Sequence, residues 1–147
     1  MGKEKPSKLE QQLCFEVYKA SSNFAKLYAK TLEPYQLTFP QYLVLLALWE
    51  EDHLQSKDIG NRLELGIGTL NPIINRMMER GWLEKKQSME DKRASIISLT
   101  EKAKNAEKEI ELSIIKKITS CNILDVNAIT LMSQLKELNA FLSKMEE

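Results

Sequence analysis

Histidine occurs once and cysteine twice in this 147-residue chain, aromatic residues make up only 7% of it, and its formal net charge at neutral pH is zero. Each scarcity excludes something. Cys14 and Cys121 stand near opposite ends of the chain, which rules out a C-x-x-C redox pair and most zinc-site spacings. No run of about 18 apolar residues occurs, and the N-terminus lacks a signal-peptide pattern, so no membrane partner is expected and the location expected is cytoplasmic. In that reducing compartment a structural disulfide is not expected, whereas a sensing thiol stays open. The residues offer no metal cluster, phosphate loop or second catalytic constellation, so neither a cofactor nor enzymatic activity is expected. His53, the one imidazole, falls in a charged loop and is read as solvated. The balance of 21 basic against 21 acidic residues removes any global attraction to nucleic acid, so any DNA binding would have to arise from local arrangement.

What is present is aliphatic and periodic. Hydrophobic residues make up 43% of the chain, with six methionines, which points to a helical interior in one domain. From Leu9 on, Leu13, Val17, Ala20, Phe24, Leu27 and Thr31 recur at alternating spacings of four and three, the stripe of a long helix that Glu33-Pro34 ends. Thr38 caps a second helix with Pro40 in its first turn, and the apolar run Tyr42 to Trp49 belongs at the centre of the domain. Ser56 is read as the N-cap of a helix Lys57 to Leu63 that buries Ile59 and Leu63. Leu65 to Gly68 is read as a turn, and a helix follows from about Thr69 to Arg80, stopped by Gly81. Trp82 to Gln87 and Ala94 to Leu99 read as strands joined by the polar tip Ser88 to Arg93. Thr100 caps a long helix through Ile110, Ile114 and Ile118. After a break near Asn122, Asp125 caps a last helix carrying Val126, Ile129, Met132, Leu135, Leu138 and Leu142.

Helix, turn, helix, hairpin is the order of a winged helix-turn-helix. The expected fold is mostly α with a small β-hairpin wing, in a single domain spanning 1–147, with 38–99 as the DNA-binding region and 9–33 and 101–147 as dimerisation helices. Asn71 and Asn75 suit adenine, and Arg76 suits guanine, in the major groove. Thr69 suits a base or a phosphate. Arg93 at the hairpin tip suits a narrow minor groove, and Lys85, Lys86 and Lys92 suit phosphates, while Asp91 positions the tip. From Arg76 to Arg93 six basic residues (Arg76, Arg80, Lys85, Lys86, Lys92, Arg93) stand against four acidic ones (Glu79, Glu84, Glu90, Asp91), a modest excess. An ordinary wet helix face remains the alternative.

The first helix and the last two are surplus to a DNA reader of about 60 residues, and their apolar stripes need cover. At about 25 cal/mol per Å² of apolar surface, a symmetric partner chain is the simplest cover. An intertwined homodimer is therefore expected, with a self-packed monomeric bundle as the alternative. Two recognition helices about one DNA turn apart would then suit a pseudo-palindromic operator on double-stranded DNA.

The segments Gln12-Leu13-Cys14-Phe15, Tyr18, Ser21-Ser22, Tyr28 and LTFPQYLVLLALWE (Leu37 to Glu50) resemble the MarR family of bacterial regulators, specifically its organic-hydroperoxide-sensing OhrR branch. The likeness continues through GTLNPIINRMMERGWLEKK, Asp91 to Arg93 and SLTEKAK, covering about residues 9 to 105. It implies a homodimeric repressor released from DNA when organic hydroperoxide oxidises Cys14. It also implies that Tyr18 and Tyr28 donate hydrogen bonds to the thiolate, and that Cys121 is the resolving thiol of a disulfide, expected between subunits. That chemistry requires a thiol held more acidic than a free one, whose pKa is about 8.5. Two departures stand out: Phe39 replaces a donor tyrosine of the branch, and Gly66-Ile67 replaces Asp-Ser, removing a polar cap. Other readings stay open: a regulator released by a small phenolic or lipophilic ligand with the cysteines incidental, a thiol peroxidase, or a protein-interaction module without DNA binding. Free cysteine is also often a small buried apolar residue.

Overall fold

The computed structural model describes residues 5, 7–91, 93–121 and 127–145. The expected break near Asn122, the proposed cap Asp125, Val126 and the wing residue Lys92 lie outside these residues. Two compact units are present, Met1–Ile110 and Glu111–Glu147.

Among the described residues of the first unit, a turn precedes the long helix. Ser7 Oγ accepts from the Glu10 N–H at 3.1 Å and Glu10 Oε2 accepts from the Ser7 N–H at 3.3 Å, a reciprocal capping box around a single turn. Gln12, with extended φ −88° and ψ 122°, then interrupts the chain, and α1 runs over Leu13–Leu32. The apolar stripe therefore overstates the helix at its start: Leu9 lies outside it, and Cys14 stands in its first turn. After α1 a 3₁₀ turn, Glu33–Tyr35, carries Pro34, and Gln36 follows in the left-handed region.

Helix α2, Phe39–Glu50, starts where expected. Thr38 Oγ1 accepts from the Gln41 N–H and Gln41 Oε1 accepts from the Thr38 N–H, with Pro40 in the first turn. Its apolar circumference makes it the centre of the unit: Val44, Leu45 and Leu48 are fully buried. Each such leucine contributes about 2 kcal/mol of hydrophobic stabilisation. Leu32, Ile59, Leu70, Met77 and Ile97 complete the interior around it.

Strand β1 is the two-residue Leu54–Gln55, which the sequence pattern does not reveal. Helix α3 spans Ser56–Leu63; its N-cap is Gln55, without a side-chain cap bond, so Ser56 is the first helical residue and not the cap. Ile59 is fully buried, but Leu63 only partly. Helix α4 covers Ile67–Glu79 with Gly66 as N-cap, so Ile67 and Gly68, expected in the turn, are helical. Gly81, at φ +81°, ends it: the Trp82 N–H reaches the Met77 carbonyl and the Gly81 N–H the Met78 carbonyl.

Strands β2 (Leu83–Gln87) and β3 (Ser95–Leu99) form the hairpin, and β1 adds to the other edge of β3 in a three-stranded antiparallel sheet ordered β1-β3-β2. Helix α5, Glu101–Ser120, follows Thr100, whose Oγ1 accepts from the Ala103 N–H. In the second unit, α6 spans Ala128–Lys144 and is capped by Asn127, whose Oδ1 accepts from the Thr130 N–H. Among the described residues no helix is long and apolar enough to cross a membrane.

Candidate nucleic-acid interface and thiol site

Helices α3 and α4 meet at a close approach. A Cβ on Gly60 would lie 2.8 Å from the Leu65 carbonyl, so the turn between them needs glycine there. The apolar side of α4, Leu70, Ile74 and Met77, is buried. The opposite side exposes Thr69, Asn71, Asn75 and Arg76 together. Asn71 and Asn75 are one turn apart, and Thr69 and Arg76 two turns apart, so each pair shares a face. Pro72 is also exposed on α4 and leaves the Gly68 carbonyl without its helical N–H partner. The lost Asp-Ser cap has the consequence expected of it: the Gly66 N-cap makes no side-chain bond to the helix.

The hairpin tip is built from backbone and short side chains. Ser88 Oγ accepts from the Glu90 and Asp91 N–H groups, and Asp91 Oδ1 accepts from the Arg93 N–H at 2.9 Å. Asp91 thus shapes the tip, and Arg93 projects from it exposed, as does Met89, which is fully exposed. Lys85 and Lys86 are exposed but, being adjacent in β2, point to opposite faces. Lys85 pairs with buried Ile97, while Lys86 lies on the face of Glu84 and Ser98, along an open groove of about 510 Å³ that His53 and Lys104 also line.

His53 is not merely solvated. Its Nδ1 is 2.9 Å from Ser98 Oγ, and its backbone, at φ 62°, is held in the left-handed region. Beside it Asp52 Oδ1 accepts the N–H groups of His53 (2.8 Å) and Leu99 (2.9 Å), tying the loop before β1 to the end of β3. Sequence reading missed Asp52 and the Ser98 contact of His53, because the partner strand lies more than 40 positions away.

Cys14 and Cys121 are both free and exposed. Cys14 is the second residue of the 20-residue helix α1, in its first turn. Tyr18, 71% exposed, is one helical turn further on and shares that face. Tyr28 stands fourteen residues along the same helix, about 21 Å away at 1.5 Å per residue. Within one chain its hydroxyl cannot reach Cys14. Tyr28 packs instead against Phe39 (ring centroids 4.7 Å apart) and Tyr42 (5.6 Å), and burial raises its phenol above the ordinary value, keeping it a hydrogen-bond donor. Cys121 follows α5 in the second unit, its N–H reaching the Ile118 carbonyl.

Over residues 26–110 the chain matches the family described as transcriptional regulator SarA/Rot. It is 44% identical over 103 residues to the HTH-type transcriptional regulator TtmR of Methylorubrum extorquens (strain PA1), spanning 70% of this chain and 53% of TtmR. To the organic hydroperoxide resistance transcriptional regulator of Bacillus subtilis (strain 168) it is 47% identical over 94 residues, 64% of each chain. The chain thus spans between about half and just under two thirds of the length of these two relatives. Among solved structures, overoxidized AbfR bound to DNA superposes with a TM-score of 0.81 at 34% identity, covering 95% of this chain and 96% of that one. AbfR, of Staphylococcus epidermidis, has also been solved reduced on DNA and with a disulfide formed.

Proposed function

The chain belongs to the SarA/Rot family of transcriptional regulators, with the winged-helix fold and the hydroperoxide-regulator relatives that its motifs led us to expect, and from that premise we propose that it is a DNA-binding repressor switched by oxidation of Cys14. The observation that carries this reading is the place of Cys14: exposed, in the first turn of α1, with Tyr18 on the same face. In the proposed reaction the thiolate attacks one oxygen of an organic hydroperoxide, the O–O bond breaks, the alkoxide leaves and takes a proton from solvent to become an alcohol, and Cys14 becomes a sulfenic acid. Cys121 then attacks that sulfur as a thiolate; the S–S bond forms, the S–O bond breaks, and the hydroxide takes a proton from solvent and departs as water.

We assign the apolar side chains left exposed on α1 (Leu13, Val17, Phe24) and α6 (Ile129, Met132, Leu135, Leu142) to a symmetric dimer interface. The dimer also gives Tyr28 its role: too far from its own Cys14, it serves the thiol of the partner chain. Residues 38–99 read DNA in this account, with Thr69, Asn71, Asn75 and Arg76 in successive major grooves of a pseudo-palindromic site. Arg93, with Lys85, Lys86 and Lys92, engages the minor groove and phosphates. Such a protein acts in the cytoplasm, where the DNA is. The relatives support the switch: AbfR has been solved on DNA both reduced and overoxidised, and separately with a disulfide formed. Overoxidised AbfR is found on DNA, which supports a reading in which the disulfide, rather than oxidation of Cys14 alone, causes release.

The test is the affinity of the reduced protein for a duplex that it selects from a random pool, measured before and after cumene hydroperoxide. The wild type loses its affinity and regains it with dithiothreitol, and Cys14→Ser stays bound throughout. Release of Cys14→Ser to the same extent as the wild type would remove the thiol from the mechanism.

A further inference from the structure

The C-terminal end of α4 is fastened on two sides. Arg80, its exposed C-cap residue, donates from Nη1 to the Gln36 carbonyl at 2.8 Å. The Arg80 carbonyl accepts from Lys102 Nζ at 2.9 Å, and the same ammonium lies 4.3 Å from the centroid of the Trp82 ring. Thr100 Oγ1 reinforces this second tie by donating to the Gly81 carbonyl at 2.7 Å.

Neither anchor is a loose loop. Gln36 stands in the left-handed region, at φ 57° and ψ 37°, with its own N–H held by the Glu33 carbonyl. Leu37 returns its N–H to the Leu32 carbonyl, and both leucines are buried. The Gln36 carbonyl therefore moves with the end of α1. Lys102 lies in the first turn of α5, beside buried Ala103. Arg80 at the end of the recognition helix thus ties the C-terminal end of α1 to the N-terminal end of α5, the far ends of the two helices from Cys14, in the first turn of α1, and from Cys121, which follows α5.

We propose that Arg80 is the coupling residue of the switch, a positioning residue through which displacement of α1 and α5 is passed to α4. This rests on the redox reading above and names how that signal travels. The apolar packing of α4 against α2 and α3 is non-directional, so it carries no particular alignment of the last turn of α4. A charge-assisted N–H to carbonyl bond does not, since it weakens steeply once bent or stretched. Movement of the α1 end is then felt at the last turn of α4, ahead of the wing. Because the guanidinium is exposed, its loss leaves the core intact.

The experiment compares wild type, Arg80→Ala and Gln36→Gly, the last keeping the carbonyl while removing only its side chain. Affinity for the selected duplex is measured for the reduced and the cumene hydroperoxide-oxidised protein. Arg80→Ala is expected to bind within about threefold of wild type when reduced, with an oxidative loss of affinity at least about fivefold smaller, within the usual range of coupling between sites. Gln36→Gly is expected to retain the full oxidative loss. An Arg80→Ala protein weakened equally in both redox states would be missing a DNA contact, and an unchanged ratio would overturn the inference while leaving the redox reading in place. A wild type whose affinity ignores oxidation would overturn that reading, and the inference with it.

Discussion

The carboxylate of Asp52 accepts the backbone N–H of Leu99 at 2.9 Å, joining the loop that enters β1 to the last residue of β3. Leu99 is buried, so this N–H has no ready substitute partner in water. Removing the acceptor leaves a buried donor unsatisfied, a cost of about 1–3 kcal/mol. Asp52→Ala is therefore expected to lower the unfolding free energy in urea by about that amount and to raise exchange of the Leu99 amide; an unchanged midpoint would show that the strand is held without it.

Two glycines of the helix-turn-helix should answer to alanine with opposite signs. At Gly60 the new Cβ would meet the Leu65 carbonyl at 2.8 Å, a backbone atom that cannot swing aside. Gly60→Ala should destabilise by about 1–3 kcal/mol. At Gly68, in the first turn of α4, nothing lies within 4 Å of the new Cβ, and alanine should stabilise by up to about 1 kcal/mol. Thermal melts of the two variants check the pair, and a shift of the same sign in both would contradict the packing described.

Burial against Phe39 and Tyr42 raises the Tyr28 phenol above its ordinary 10.0. The sign follows from linkage: the unfolded chain ionises first, so the contribution of this group is complete below about pH 10 and is lost as pH rises through the folded value. The wild type should therefore melt at progressively lower temperature than Tyr28→Phe as the pH passes about 10. Parallel curves for the two proteins would show that the phenol is no more buried when folded than when unfolded.

At the wing, Asp91 and Ser88 fix the tip and leave Arg93 projecting. Arg93→Ala should weaken binding to the selected duplex more than about tenfold and lower the slope of log affinity against log salt by about one. Equal affinity would take the wing out of the interface.

Much of this fold is written in local signals. Thr38-Phe39-Pro40-Gln41 carries its own capping box, Gly81 its own helix stop, and the hairpin its alternating strands and polar tip, each decided within a few residues. The departures arise where distant or competing contacts decide. Strand β1 exists only because Leu54 pairs with Ile97. The Ser7–Glu10 box captures residues whose apolar spacing would otherwise extend α1, so Cys14 falls in the first turn instead of the second. Helix α4 starts at Ile67 although two glycines suggest a turn, because Gly66 provides extended backbone at the cap and Gly68 is accepted in the first turn. The candidate thiol Cys14 and the tyrosines Tyr18 and Tyr28 were legible as residue types. That Tyr28 lies some 21 Å along the helix from Cys14, out of its reach within one chain, follows only from α1 running unbroken between them.

The central claim is that a disulfide made from Cys14 removes this protein from DNA, and the measurement closest to it follows both events in one sample. The reduced protein on its selected duplex is titrated with cumene hydroperoxide, bound DNA is read by fluorescence anisotropy, and each point is alkylated and mapped by peptide mass spectrometry. Release is predicted to rise in step with a peptide pair joining Cys14 to Cys121, between chains, and to reverse with dithiothreitol. Complete release while both cysteines are still recovered as alkylated free thiols would contradict the account.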